Sequence, residues 1–314
     1  MPTVITIGNF DGVHLGHAAL LARARGLAGS SAPDGEGGRV VAMTFDPHPA
    51  SVLRPERTPP ALAPVAARER QLRLMGADDV VRLNPADGVL NVSARDFVQS
   101  LVAHFGPAAF VEGPDFHFGK GREGNVRTLA DLGREFGFRV EVVEPVEVAL
   151  VDGSIVTASS TLARWLVGHG RVADAARVLG RPFELEGTVV QGDRKGRTIG
   201  FPTANLRLGP EWDGVGLPKD GVYTATAVLP GGAELPAMLN IGHRPTLAGV
   251  EHRIEAHVLT HARAEQPGAA SEYGWPMTLR LTGWLRDQVR FPSFPALAAQ
   301  LERDRRLARQ PQCL

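Results

Sequence analysis

Two histidines, His14 and His17, stand three residues apart in a stretch punctuated by Gly8, Gly12 and Gly16. On the first turn of a helix, side chains three apart share a face, and the free backbone N–H groups there attract an anion. Gly8 and Gly12 let the backbone approach a ligand closely. Such a pair can donate hydrogen bonds to the oxygens of a triphosphate and stabilise the charge that develops as its α-phosphate is attacked. Singly, each histidine reads as a surface residue and each glycine as a turn; the pair at one Gly-spaced junction favours phosphate chemistry. A second cluster, GTVVQGDRKGRTIGFPTANL, spans residues 187–206 and interleaves Gly192, Gly196 and Gly200 with Arg194, Lys195 and Arg197. A basic, glycine-rich loop can wrap polyphosphate through N–H groups and charge. Thr203 and Asn205 come next and share a face if extended, offering the hard oxygen ligands that suit Mg²⁺. A basic hairpin loop with turn-forming Thr and Asn is the plainer alternative. Ser159-Ser160-Thr161 with Arg164 three residues on makes a phosphate clamp or, equally well, an ordinary helix cap.

These residues need elements to hold them. Short apolar runs at Val4–Ile7, Arg39–Phe45, Val80–Leu83, Ala108–Val111 and Phe138–Val143 alternate with helical stretches at Leu15–Leu27 and Val65–Met75. Two further helices are marked by Phe97, Leu101 and Phe105 and by Leu129, Leu132 and Phe136. That alternation predicts a parallel sheet covered on both faces. Helices at Ser159–Val167 and Val172–Leu179 close this half. Beyond Gly180-Arg181-Pro182 the pattern changes to short β-like pieces at Glu186–Val190, Gly221–Leu229, Ala237–Ile241, Arg253–Leu259 and Met277–Trp284. Strands without intervening helices predict a small antiparallel barrel or sandwich, finished by a helix at Pro295–Leu307. Segments 30–38, 209–216 and 261–271 read as exposed loops.

The 314 residues suggest two domains. Lys plus Arg equals Asp plus Glu at 34 each, so no broad field draws nucleic acid or an anionic membrane, and phosphate must be bound locally. The single cysteine, Cys313, excludes an intrachain disulfide and a cysteine metal site. Neither a signal peptide nor a membrane-spanning run is evident, which predicts a soluble cytoplasmic protein. Gly113–Gly121 lacks the P-loop spacing, and Gly168–Ala173 comes after a helix rather than a strand, so neither is a nucleotide fingerprint.

The run GNFDGVHLGH resembles the signature of the His-x-Gly-His nucleotidyltransferases, and is most similar to prokaryotic bifunctional riboflavin kinase/FMN adenylyltransferase, also called FAD synthetase. Three later segments extend the likeness: Phe45-Asp46-Pro47-His48-Pro49, Gly113–Gly119 and Ser159–Arg164. The resemblance implies that His14 and His17 polarise ATP phosphates, with Gly8, Asn9 and Phe10 in the same loop. It further implies that Asp115 and Phe116 lie in a flavin- and nucleotide-side loop, and that Ser160, Thr161 and Arg164 grip the pyrophosphate end. The run 187–206 resembles the riboflavin kinase signature, which makes Thr203 and Asn205 the magnesium ligands and Gly192, Lys195, Gly196, Arg197 and Gly200 the phosphate loop. The likeness continues through Lys219–Tyr223 and Asn240–Thr246, places Glu255 at the catalytic-base position, and sets Arg286 near the flavin. By itself Glu255 reads as a solvent-facing strand residue.

An α/β parallel-sheet, Rossmann-like nucleotidyltransferase domain is therefore expected over 1–182. An antiparallel β-barrel riboflavin kinase domain with a C-terminal helix is expected over 183–309, and a frayed tail over 310–314. The implied activity is phosphorylation of riboflavin to FMN, then transfer of AMP from ATP to FMN, giving FAD and pyrophosphate. Mg²⁺ is the implied cofactor, the partners are the small molecules ATP, riboflavin and FMN, and neither nucleic acid nor membrane is expected. Two alternatives are an enzyme keeping one of the activities and a non-catalytic flavin- or nucleotide-binding regulator; retention of both histidines and Glu255 argues against the regulator.

Overall fold

The computed structural model describes residues 2–30, 37–192, 200–246, 249–259 and 272–309. The chain divides into two compact units, Met1–Val148 with Ile155–Ser160, and Ala149–Ser154 with Thr161–Leu314. Helices expected to close the first half thus group mainly with the second unit.

The first unit runs β1 (Thr3–Gly8), α1 (Leu15–Ser30), β2 (Arg39–Phe45), α2 (Ala50–Leu53), α3 (Val65–Leu74), β3 (Asp79–Leu83), α4 (Ala94–Phe105) and β4 (Pro107–Glu112). A small pair, β5 (His117–Phe118) and β6 (Gly124–Asn125), precedes α5 (Val126–Phe136) and β7 (Arg139–Val142). Five strands form one sheet in the order β3-β2-β1-β4-β7, every pairing parallel. Alternate residues of the central strands feed two cores, as the period of two requires. Ile5, Ile7, Val41, Met43 and Phe110 pack with Phe97, Val98 and Leu101 of α4 and Leu129 of α5. On the other side Val4, Val40, Ala42, Ala109 and Val111 pack with Leu21 and Ala24 of α1 and Leu72 of α3. Burial of each large side chain contributes roughly 1.5–3 kcal/mol. The chain moves outward from β1 in both directions, so β1 and β4 flank the switch point where open sheets bind ligands beyond their carboxyl ends.

A two-stranded pair, β8 (Glu147–Ala149) and β9 (Ile155–Thr157), leads to α6 (Ser160–Gly168) and α7 (Val172–Leu179). In the second unit β10 (Phe183–Val190), β11 (Ala204–Arg207), β12 (Gly221–Val228), β13 (Glu234–Thr246), β14 (Gly249–Val258) and β15 (Pro276–Arg286) close into a barrel, and α8 (Phe294–Ala308) ends it. The barrel order is β10-β11-β14-β13-β12-β15 with antiparallel pairing throughout. Closure leaves the sheet without a free edge. Leu185, Leu239, Ile241, Leu279 and Leu281 are fully buried. The barrel or sandwich expected from sequence is therefore a barrel. Segment 209–216, read as an exposed loop, contains a short 3₁₀ turn at Pro210–Trp212, and its Trp212 is buried.

Candidate active sites

The loop from β1 to α1 is held in an unusual backbone. Phe10 and Val13, both fully buried, have φ of 46° and 41°, a region non-glycine residues rarely enter, β-branched ones least of all. Gly12 joins them at φ 74°. Asp11 pins the loop from beneath: its Oδ1 accepts from Leu62 N at 2.8 Å, and its carbonyl accepts from Ser160 Oγ at 2.7 Å. Buried His14 accepts from Gly16 N through Nδ1 at 3.1 Å, the bond of a helix N-cap. In neutral imidazole that leaves the proton on Nε2, a donor. The rings of His14 and His17 stack at 3.7 Å, and His17 meets Phe10 edge-on at 5.0 Å. Gly16 fits closely here: a Cβ at that position would lie 3.0 Å from the His14 ring, which would have to shift.

Neighbouring strand ends complete this region. Asn9 is exposed, and its side-chain amide lies 3.1 Å from His48 Nε2, while His48 Nδ1 accepts from Ala50 N at 3.0 Å. Asp115 and Phe116 sit in the loop after β4, with Asp115 exposed, its carbonyl 2.8 Å from His117 Nδ1, and Phe116 stacked on Phe118 at 5.3 Å. These two loops, after β1 and after β4, flank the switch point. Ser160 belongs to the first compact unit, whereas Thr161 and Arg164, on the same helix, belong to the second.

Two buried ionisable groups at these strand ends went unread in the sequence. Ile7 N donates to Glu112 Oε1 at 2.8 Å, beyond the last β1–β4 pair, Ile5 with Phe110. Burial pushes the Glu112 carboxyl well above the usual range, opposed by that one backbone hydrogen bond. Arg68, 7% exposed, projects from α3 on the stripe it shares with buried Leu72. A basic residue four positions from a core leucine was the available signal.

In the barrel, the pairing lines up one row across five strands. Asn205 of β11 stands opposite Glu255 of β14, Glu255 opposite Asn240 of β13, Asn240 opposite Val222 of β12, and Val222 opposite Arg286 of β15. Thr203 lies two residues before Asn205, and all six line one cavity of about 620 Å³. Its lining also includes the apolar side chains of Phe291, Phe294, Leu297 and Leu301. Glu255 Oε1 accepts from Arg253 Nε at 2.8 Å. Gln288 reaches back to the row, donating through Nε2 to Asn240 Oδ1 at 2.8 Å and to the Ile241 carbonyl at 3.0 Å.

Arg286, read from sequence as flavin-side, also has a structural bond. Its Nη2 and Nε donate to Asp304 Oδ2 at 2.7 and 3.0 Å, and Gln300 Nε2 donates to Asp304 Oδ1 at 2.8 Å. That buried carboxylate ties α8 to β15. Gly192 packs so closely on Asn205 that a Cβ there would collide with its amide. Gly200 has φ 81°. Lys195, Gly196 and Arg197 lie outside the described residues, as do segment 261–271 and the tail 310–314. Thr203 and Asn205 supply neutral oxygens, and no cluster of three His, Cys, Asp or Glu side chains suited to a metal occurs among the described residues. A cation at this position would take its charge balance from phosphates, which fits Mg²⁺ better than a tightly caged metal.

A parallel sheet with paired histidines at its switch point, and a barrel whose cavity is lined by both a polar row and apolar side chains, fit a transferase that handles phosphate groups. Comparison with known proteins makes the class specific. Residues 1–157 match the FAD synthetase family and residues 179–311 the riboflavin kinase family. The chain is 36% identical to the bifunctional riboflavin kinase/FMN adenylyltransferase of Escherichia coli (strain K12), covering 98% of this chain and 92% of that one. It is 32% identical to the protein of the same description from Listeria monocytogenes, covering 96% of this chain and 90% of that one. This chain belongs to the bifunctional riboflavin kinase/FMN adenylyltransferase family. A crystal structure described as a macrolide-efflux protein from Streptococcus pneumoniae also matches, with a TM-score of 0.84, 29% identity, and coverage of 99% of this chain and 94% of that one. No helix among the described residues here is long and apolar enough to cross a membrane.

Proposed function

We propose that this chain converts riboflavin to FMN in the barrel and FMN to FAD in the α/β unit, using one ATP at each step. In the barrel, Thr203 and Asn205 hold Mg²⁺ with the ATP phosphates, and the ion supplies charge neutralisation for phosphoryl transfer. Glu255 accepts the proton of the ribityl 5′-hydroxyl as its oxygen bonds to the γ-phosphorus and the bond to ADP breaks. The apolar side chains of the cavity lining take the flavin ring, with Arg286 in the same lining. Gly192 and Gly200 flank the phosphate loop, to which Lys195, Gly196 and Arg197 are assigned by the sequence signature alone.

In the α/β unit, a phosphate oxygen of FMN attacks the α-phosphorus of a second ATP, and pyrophosphate leaves. His14 and His17 donate to the phosphate oxygens where charge develops, while Gly8, Asn9 and Phe10 shape the loop. Asp115 and Phe116 face the flavin and nucleotide side. Ser160, Thr161 and Arg164 take the pyrophosphate end, an assignment resting on the Ser-Ser-Thr-x-x-Arg signature. No protein nucleophile is required at either site. We assign the two activities to residues 1–182 and 183–309, and place the enzyme in the cytoplasm with ATP and Mg²⁺.

The observation that carries this reading is the row Asn205–Glu255–Asn240 sharing one cavity with apolar side chains, on a chain whose first helix begins with the stacked His14–His17 pair. The test is a mass-resolved product assay with riboflavin and Mg-ATP. FMN and then FAD are expected; FMN that accumulates without any FAD rules out the second activity.

A further inference from the structure

Arg68 sits where the loops leaving β1 and β2 come together. Its Nη1 donates to the Phe45 carbonyl at 2.8 Å, the Asn9 carbonyl at 3.2 Å and the Thr44 hydroxyl oxygen at 3.2 Å. Thr44 Oγ1 in turn donates to the Asn9 carbonyl at 3.0 Å. One guanidinium nitrogen thus joins the ends of two parallel strands just before the chain departs into the His14 loop on one side and the Asp46–Pro49 segment on the other. Thr44 is fully buried and Arg68 is 7% exposed, so water cannot substitute for these bonds.

The charge balance is unusual. Carbonyls and a hydroxyl are neutral acceptors, and the nearest carboxylate oxygen, Asp46 Oδ1, is 4.0 Å from Nη2. Nε is buried and makes no hydrogen bond among the described residues. A cation held largely out of water with its counter-ion at the limit of ion-pair distance is costly. The field it leaves uncompensated favours an anion nearby.

We propose that Arg68 is a positioning residue for adenylyl transfer: it locks the Asn9 and Phe45 strand ends together and places a buried positive charge behind the loop that receives the ATP phosphates. This role rests on the reading of the Gly8–His17 loop as the phosphate loop. Arginine is needed for two reasons. Its rigid, planar guanidinium fixes Nη1 between acceptors from two strand ends, and its charge survives burial; lysine keeps only the charge. Loosening a loop by about 1 Å near a reacting phosphorus costs on the order of 100-fold in rate.

The experiment uses the full chain with FMN and Mg-ATP, measuring FAD and pyrophosphate, while FMN formation from riboflavin reports the integrity of the barrel. Parent, R68K, R68M and H17A are compared. R68K is expected to lower kcat for FAD formation about 10-fold with KM for ATP within about twofold, because the charge is kept and the rigid planar group that fixes the donor is lost. R68M is expected to lower kcat similarly and also to raise KM for ATP at least about fivefold, because a buried charge near the phosphates is gone. FMN formation stays at the parent rate in both. Parental kcat in R68K, or parental KM for ATP in R68M with FMN formation intact, overturns the role. If R68M fails to fold, R68K alone decides. H17A separates the two readings: loss of FAD in H17A with full activity in both Arg68 variants sinks only the positioning role, whereas full FAD formation in H17A sinks the phosphate-loop reading and this role with it.

Discussion

Ile7 donates its backbone N–H to Glu112 Oε1 at 2.8 Å at the carboxyl ends of β1 and β4. The side chain takes over where main-chain pairing stops, so the strands part without leaving a buried donor unsatisfied. Because burial raises the Glu112 pKa, the unfolded chain releases this proton before the folded one does. Stability from this group is fully present below the unfolded pKa of about 4.3 and is lost as pH rises towards the folded value. E112Q keeps an acceptor for Ile7 and removes the titration. Its unfolding midpoint should exceed the parent's at pH 8, with the difference closing towards pH 4. The slope cannot exceed about 1.4 kcal/mol per pH unit. Parallel stability curves would show that Glu112 does not titrate between the two states.

His14 and Gly16 make a second test. A methyl group at Gly16 would press on the His14 ring and disturb the Nδ1 bond that aims Nε2. G16A should slow FAD formation from FMN at least about 10-fold, in line with the sensitivity of catalysis to small misplacements, while FMN formation is unchanged. Equal loss of both activities in a folded protein would mean the two sites are not independent.

Glu255→Gln should stop FMN formation by removing the base, a loss of about 10²–10⁴-fold, yet leave added FMN convertible to FAD. Product masses read both steps from one sample. FMN formation at the parent rate would show that Glu255 does not accept the proton.

Asn205→Ala removes one of two proposed oxygen ligands from the row beside Glu255. The Mg²⁺ concentration giving half-maximal FMN formation should rise several-fold, while that for FAD formation from FMN should not move. An unchanged Mg²⁺ requirement for FMN formation would place the ion elsewhere.

Asp304→Asn leaves Arg286 without its buried anionic partner. Loss of a buried partner costs on the order of 3 kcal/mol, so thermal unfolding of the variant should move to lower temperature. KM for riboflavin should rise with it, because Arg286 also lines the cavity. A raised KM with unchanged unfolding would assign Arg286 to the flavin alone.

Much of this architecture was legible in the chain. Strands such as Thr3–Gly8 and Arg39–Phe45 are buried on both faces, so their β-branched runs stand out without alternation. The barrel was harder. β13 extends over Glu234–Thr246, well past the apolar Ala237–Ile241 read as a strand, because Glu234–Pro236 pair with β12 and Gly242–Thr246 with β14. β8 and β9 are three residues each, too short to show a period. Thr203, Asn205 and Glu255 were named through motifs, but their shared row depends on register across strands about fifty residues apart in the chain. Arg68 and Glu112 are of types that a sequence assigns to solvent; the spacing of Arg68 from Leu72 hinted at its burial, whereas that of Glu112 shows only in tertiary contact. The bond from Arg286 to Asp304 crosses from a strand to the last helix, beyond any local signal.

Phe10 and Val13, with their left-handed backbone angles, put the molecule under a standing tension of roughly 1–3 kcal/mol at each position. Folding spends that energy in advance, so the proposed phosphate loop holds its shape before a nucleotide meets it. A lineage selected purely for heat resistance would be drawn to glycine at either place, and would end with a sturdier but slacker receptor in place of a ready-made one.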